Sequence, residues 1–220
     1  MSGIPDTPAS RAEQTAADLL SIGAVFLRPN EPFTWASGIK SPIYCDNRLT
    51  LSYPQTRERI ESSLADLIRD RFPDCEALFG TATAGIAHAA ICAHILGLPA
   101  GYVRGSAKDH GRGNRIEGVV TPGMRVVVIE DLVSTGGSVL ETVQALRESG
   151  AEVLGVACIF TYRMKRAIQR FAEADARLEA LTDFDALVET AVKSGAINAG
   201  DAPRLRMFRD NPDDPAWMNM

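Results

Sequence analysis

The residues best suited to chemistry stand together in one stretch, Val126-Val-Val-Ile-Glu130-Asp131-Leu132-Val133-Ser134-Thr135-Gly136-Gly137-Ser138. Its β-branched start predicts a buried strand, and its two acids lead into a hydroxyl-and-glycine loop that opens a helix. Glycines let a backbone approach a ligand and take positive φ, and N–H groups at a helix start carry partial positive charge. Ser134 to Ser138 is therefore a cradle for an anion such as phosphate. Glu130 and Asp131 would repel that phosphate as direct ligands, but carboxylates accept hydrogen bonds from hydroxyls and help to hold hydrated Mg²⁺. Hydroxyl acceptors beside a phosphate cradle describe a site for a sugar phosphate. The plainer reading, an acid pair and glycine turn that only cap a helix, accounts poorly for acids and the full Ser-Thr-Gly-Gly-Ser loop occurring together. The loop is not a Walker A loop, because no Gly-Lys-Ser/Thr follows, and Gly111-Arg-Gly113-Asn-Arg-Ile116 lacks the last glycine of the dinucleotide fingerprint.

Residues 104–115 carry Arg104, Lys108, Arg112 and Arg115 against Asp109 alone, a formal +3 in a chain whose total is −5. With Gly105, Gly111 and Gly113 the segment reads as a flexible cationic lid that closes over a polyanion and excludes water. Standing alone, it would equally suit a solvated surface loop. His110 can donate a proton to a leaving group or serve as a plain hydrogen-bond donor. His88 and His94 lie six apart on a predicted helix and share no face, so they read as packed or surface residues. No metal site made by the protein alone is visible. Arg163 follows an apolar strand at the end where open α/β sheets place ligands, and is either an anion-recognising guanidinium or an ordinary surface arginine.

The scaffold for these groups is legible in outline. After a loose tail over residues 1–9, Ser10 and Glu13 form a capping-box pattern for a helix to about Leu20. Short apolar stretches around a Ser-Gly turn in Phe33 to Asp46 predict a small hairpin. From Pro54 an amphipathic helix (Ile60, Leu64, Leu67, Ile68) precedes a strand at Ala77–Phe79 and an alanine-rich helix after Gly85. Strands follow at 101–103, 125–129 and 152–160, with a helix over 138–148. This alternation predicts an α/β fold, a parallel sheet covered on both faces. One domain over 1–220 is expected: helix and hood over about 10–50, core over about 54–195, and a C-terminal segment over about 196–220. Leu205, Met207, Phe208 and Trp217 in that last segment predict that it docks back on the body.

Val126 to Ser138 resembles the phosphoribosyl-diphosphate signature of the type I phosphoribosyltransferases. Three further segments resemble the orotate phosphoribosyltransferases among them: Phe33-Thr-Trp-Ala-Ser-Gly-Ile-Lys-Ser-Pro-Ile-Tyr44, Gly80-Thr-Ala-Thr-Ala-Gly-Ile86 and Tyr102-Val-Arg104-Gly-Ser-Ala-Lys108-Asp-His110-Gly111. The resemblance spans about Phe33 to Arg163 in the family's order. It implies the type I phosphoribosyltransferase fold, with a small N-terminal hood and a flexible lid. It also implies Mg²⁺-dependent transfer of a 5-phosphoribosyl group from 5-phosphoribosyl 1-diphosphate to orotate, giving orotidine 5′-phosphate and diphosphate in pyrimidine biosynthesis. Glu130 and Asp131 would then hold the ribose hydroxyls, and Leu132, Val133, Ser134, Thr135, Gly136, Gly137 and Ser138 would complete the sugar-diphosphate site. Arg104, Lys108 and His110 would contact the diphosphate, with Lys108, Asp131 and His110 catalytic and Lys108 stabilising the departing charge. Ser134, Arg163 and Tyr44 would meet orotate. The resemblance further implies a homodimer whose lid reaches the neighbouring site. Ala36, Ala84 and Gly105 stand where another branch has lysines, which leaves more of the diphosphate charge to Mg²⁺, Lys40 and the lid.

A purine-base phosphoribosyltransferase would keep the cradle and change the hood. A non-catalytic regulator would sense the sugar diphosphate while binding nucleic acid, but the net charge of −5 and pI of about 5.3 argue against it. Hydrophobic residues at 45% and charged residues at 23% are ordinary globular usage. Cys45, Cys75, Cys92 and Cys158 are scattered, which fits reduced thiols in a cytoplasmic protein. The polar, proline-bearing start and the lack of an apolar stretch near ~18–20 residues predict neither leader nor membrane span.

Overall fold

The structure, a computed structural model, describes residues 8–34, 38–105 and 115–219. Helix α1 (Pro8–Ser21) begins two residues ahead of Ser10, so Ser10 lies within the helix and not at its cap. A proline in the first turn explains the earlier start, because the N–H it lacks would have had no helical acceptor. The hood is two nested antiparallel ribbons where one hairpin was expected. Strand β1 (Val25–Leu27) encloses β2 (Phe33–Thr34) and β3 (Lys40–Ser41), which pair with each other, and β1 pairs with β4 (Ile43–Cys45). A 3-10 helix (Asn47–Ser52) leads into α2 (Pro54–Arg71), which buries Ile60, Leu64, Leu67 and Ile68 as its periodicity predicts.

Strands and helices then alternate: β5 (Ala77–Thr81), α3 (Gly85–Leu96), β6 (Ala100–Val103), β7 (Ile116–Glu117), β8 (Arg125–Val133), α4 (Gly137–Glu148), β9 (Glu152–Thr161), α5 (Lys165–Glu173), β10 (Leu178–Asp183) and α6 (Phe184–Lys193). One six-stranded sheet has the order β10-β9-β8-β5-β6-β7, parallel except where β7 pairs antiparallel with β6. Successive residues of β8 point to opposite faces. Val127 and Ile129 join a core with α2, α3 and α6, while Val126 and Val128 join a second core with α4 and α5. Burial on both faces is why β8 reads as an unbroken apolar run.

The first sheet strand, β5, lies in the interior. The chain moves outward to β6 and β7, then returns to β8 on the other side of β5. The carboxyl ends of β5 and β8 thus flank a topological switch point, where open α/β sheets leave a ligand crevice. Past α6, α7 (Ala202–Asp210) and a 3-10 helix (Pro215–Asn219) fold back as expected. Leu205, Phe208 and Trp217 are buried, with the Phe208 and Trp217 rings edge-to-face at 5.7 Å, whereas Met207 stays exposed. The Arg204 guanidinium donates to the carbonyls of Trp217 and Pro29 and to the Asn30 side chain, tying this segment to the hood. No helix among the described residues is long and apolar enough to cross a membrane.

Candidate active site

Strand β8 continues past Ile129. Its ladder with β9 runs Glu130↔Cys158, Leu132↔Phe160 and Val133↔Thr161, so the acid pair lies inside the strand and the loop starts at Ser134. The apolar Leu132 and Val133 extend the strand by packing on opposite cores. Val133 is fully enclosed, and its carbonyl accepts the Tyr162 N–H at 3.0 Å.

Alternation within the strand separates the two acids. Glu130 is 5% exposed, whereas Asp131 is half-buried at the strand edge of the crevice. Burial, followed by the charge of Asp131, pushes the Glu130 carboxyl up to about 9. Its Oε1 accepts the Asp131 N–H at 3.1 Å. Glu130 therefore stands behind Asp131, its burial favouring the protonated form, and Asp131 is the acid presented to a ligand.

Asn47 fixes this pair from the hood. It is 1% exposed, and its Nδ2 donates to the Asp131 carbonyl at 2.7 Å, across 84 residues of chain. Its Oδ1 accepts from the Cys45 thiol at 3.2 Å, and burial together with the nearby Asp131 and Asp46 pushes that thiol up, keeping it a neutral donor. Nothing in the sequence marks Asn47, because its partner is set by tertiary structure alone.

Helix α3 reaches the switch point because residue 85 is glycine. A Cβ there would lie 2.3 Å from the Ile129 carbonyl oxygen, so no side chain fits between α3 and β8. The loop from β5 to α3 contains a cis Ala82–Thr83 peptide and ends at Ala84.

The Ser134–Ser138 cradle takes the form expected of it. Gly136 sits at φ +79°, a conformation glycine adopts freely, and a Cβ there would meet the Phe171 ring at 2.9 Å. Helix α4 begins at Gly137, with Leu140 N–H donating to the Gly136 carbonyl as its first bond. The N–H groups of Gly137, Ser138 and Val139 have no acceptor within the helix and are open to an anion. Arg170 on α5 supports the loop by donating to the Thr135 carbonyl at 3.2 Å.

The two ends of the 104–115 segment are joined at the same end of the sheet. Arg104 N–H donates to the Arg115 carbonyl and Arg115 Nε to the Arg104 carbonyl, each at 2.8 Å. Arg104 also pairs with Glu117 at 3.3 Å, and Arg115 with Glu141 at 3.4 Å. Lys108, His110 and Arg112 lie outside the described residues, as does Ala36.

The three expected orotate contacts come from three different elements. Ser134 lies in the cradle, but Tyr44 projects from the face of β4 opposite Ile43 and Cys45, exposed beside Phe33 at 5.7 Å between ring centres. Arg28 lies over that Phe33 ring at 5.1 Å. Arg163 takes φ +53° and directs its guanidinium to Asp183 at 3.1 Å, beside a groove between α5 and β10. Lys40 donates to Thr34 within the β2–β3 ribbon at 2.7 Å. His88 is buried against Glu61, and His94 is exposed, the ordinary packed and surface roles their spacing implied.

A model of the phosphoribosyl transferase domain matches residues 53–182. Orotate phosphoribosyltransferase of Bacillus subtilis (strain 168) is 54% identical over 202 residues, covering 92% of this chain and 94% of that one. That of Bacillus caldolyticus is 57% identical over 199 residues, covering 90% and 96%. The chain belongs to the orotate phosphoribosyltransferases. The crystal structure of orotate phosphoribosyltransferase from Aeropyrum pernix aligns with a TM-score of 0.71 at 30% identity, over 83% of this chain and 99% of that chain. The domain match runs from the start of α2 into β10, and so includes the acid pair, the Ser134–Ser138 loop and residues 104–115. The hood and C-terminal segment lie outside it.

Proposed function

We propose that the protein transfers the 5-phosphoribosyl group of 5-phosphoribosyl 1-diphosphate to orotate. A ring nitrogen of orotate bonds to the anomeric carbon as the bond from that carbon to the diphosphate oxygen breaks, with inversion. The products are orotidine 5′-phosphate and diphosphate. The observation that carries this reading is the joint from β8 to α4, which sets an accessible carboxylate, Asp131, beside a helix start and a glycine-rich anion cradle.

Positive charge develops on the sugar ring and negative charge on the departing diphosphate, as in glycosyl transfer generally. The cradle holds the 5-phosphate and Asp131 the ribose hydroxyls, so the protein contributes orientation and fixed charge, with no covalent intermediate. By the family resemblance Lys108, Arg104 and His110 would contact the leaving group, with Lys108 offsetting its charge. Asp131, whose carboxylate oxygens are hard ligands, is the accessible acid that would help to hold hydrated Mg²⁺, with Glu130 buried behind it. When bound, Mg²⁺ adds positive charge beside the diphosphate oxygens. Arg163 engages orotate by leaving Asp183, an exposed pairing that holds it weakly.

The test is loss of orotate absorbance that requires both the sugar diphosphate and Mg²⁺, with adenine, hypoxanthine and uracil inert. Turnover of a purine base in place of orotate would overturn the assignment. A homodimer with shared lids is tested by mixing Lys108→Ala and Asp131→Asn chains, each inactive alone. Exchange should restore about a quarter of wild-type activity, since half of the dimers carry one intact site.

A further inference from the structure

We propose that Arg170 is a positioning residue for the 5-phosphate of the sugar diphosphate, an inference that rests on the phosphate-cradle reading above. In sequence it is one of several cations on a short amphipathic helix, and the matching of motifs gives no reason to select it.

Its Nη1 donates to the Thr135 carbonyl at 3.2 Å. A peptide is planar and trans, so a carbonyl and the N–H that follows it point in opposite directions. By drawing the Thr135 carbonyl toward α5, Arg170 turns the Gly136 N–H away from α5, toward the ligand side of the loop. Gly136 at φ +79° permits that orientation, and Phe171, the next residue of α5, fills the place a side chain at 136 would need. Two adjacent residues of α5 thus mould the cradle from behind.

The charge on Arg170 points the same way. Its guanidinium lies 3.5 Å from where a Cβ on Gly137 would stand, close to the start of α4. That end of a helix carries partial positive charge, so a cation there is unfavourable unless an anion is nearby. Glu141, Glu148 and Glu173 line the same groove, yet Arg170 forms no ion pair with them among the described residues and spends its bond on a loop carbonyl. With phosphate in the cradle, the same guanidinium adds attraction within a few ångströms of the ligand, well inside the screening length. It does so without touching the reacting atoms.

The experiment compares Arg170→Gln and Arg170→Lys with wild type in the full-length enzyme. It measures steady-state kinetics for both substrates, ribose 5-phosphate binding by calorimetry, and unliganded melting temperature. Arg170→Gln should raise the KM for the sugar diphosphate and the Kd for ribose 5-phosphate about tenfold. Its kcat and orotate KM should stay within about twofold of wild type. Arg170→Lys should recover part of the lost affinity by restoring the charge, and the melting temperature should hold in both. The role is overturned if Arg170→Gln binds ribose 5-phosphate as wild type does. It is equally overturned if kcat, both KM values and melting temperature deteriorate together, the signature of a merely structural residue. Wild type that fails to bind ribose 5-phosphate would overturn the cradle reading itself, and this role with it.

Discussion

The cradle grows from a nine-residue strand paired on both sides, by β5 and β9, whereas the hood consists of ribbons two or three residues long. The first is held by sheet ladders and two cores. The second, among its described residues, places only Ala24, Val25 and Ile43 fully in one of those cores and is further tied by side-chain bonds, chiefly Asn47 to Asp131 and Arg204 to the chain around Pro29. A grip built into the sheet has one geometry, and a grip hung from it can adjust. In the proposed function, recognition of the sugar phosphate then depends on the sheet, and recognition of the base on short ribbons that substitution can loosen without unfolding the protein.

Five substitutions test that division. Lys108→Ala should lower kcat about a hundred- to a thousandfold while melting temperature and ribose 5-phosphate binding persist. Activity near wild type would remove the lid from the chemistry. Gly85→Ala should destabilise the protein by about 1–3 kcal/mol in urea unfolding, because a methyl group must displace the β8 backbone. A neutral result would show that α3 yields more easily than the sheet contact implies. Asn47→Ala should cost about 1–2 kcal/mol and raise the KM of both substrates together. If stability falls while both KM values hold, hood and cradle work independently.

Glu130→Gln probes the buried acid through pH. The folded carboxyl, pushed up to about 9, keeps a proton that the unfolded chain releases above about pH 4.3. This contribution to stability is complete at low pH and is lost as pH rises through that window. The variant should therefore gain on wild type by about 1.4 kcal/mol per pH unit, up to about 4 kcal/mol between about pH 5 and pH 8, as read from melting curves. A constant difference would mean that Glu130 is ionised in the fold. Arg163→Gly should be the mildest in stability, since glycine relieves the positive φ by up to about 1 kcal/mol. Its orotate KM should still rise, and an unchanged KM would leave Arg163 as the surface residue that its pairing with Asp183 depicts.

The elements that position the cradle were legible because each carries a local signal. Val126 to Ile129 is apolar on both faces, Ser134 to Ser138 can only be a turn into a helix, and Ile60 to Ile68 has helical spacing. Strand β7 is two residues long and exists through its pairing with β6, so no period marks it. Strand β10 reads Leu-Glu-Ala-Leu-Thr-Asp, too mixed to separate from a helix. The acids were found by type, but their division into a buried and an accessible group depends on where the strand ends, which Leu132 and Val133 decide by packing. Tyr44 and Arg163 were placed by their neighbours in sequence, which do not show the ring contact of Tyr44 with Phe33 or the pairing of Arg163 with Asp183. Asn47 and Arg170 act through backbone carbonyls brought near by the fold, and such partners leave no trace in residue order.

The paired bonds between Arg104 and Arg115 close the β6–β7 ladder beneath the lid, so the sheet does not rely on what lies between them. That makes the position a graft point. Exchanging 105–114 for a tight turn of about two residues should yield a chain that still captures ribose 5-phosphate but turns over at least about a hundredfold more slowly, the starting material for a metabolite sensor.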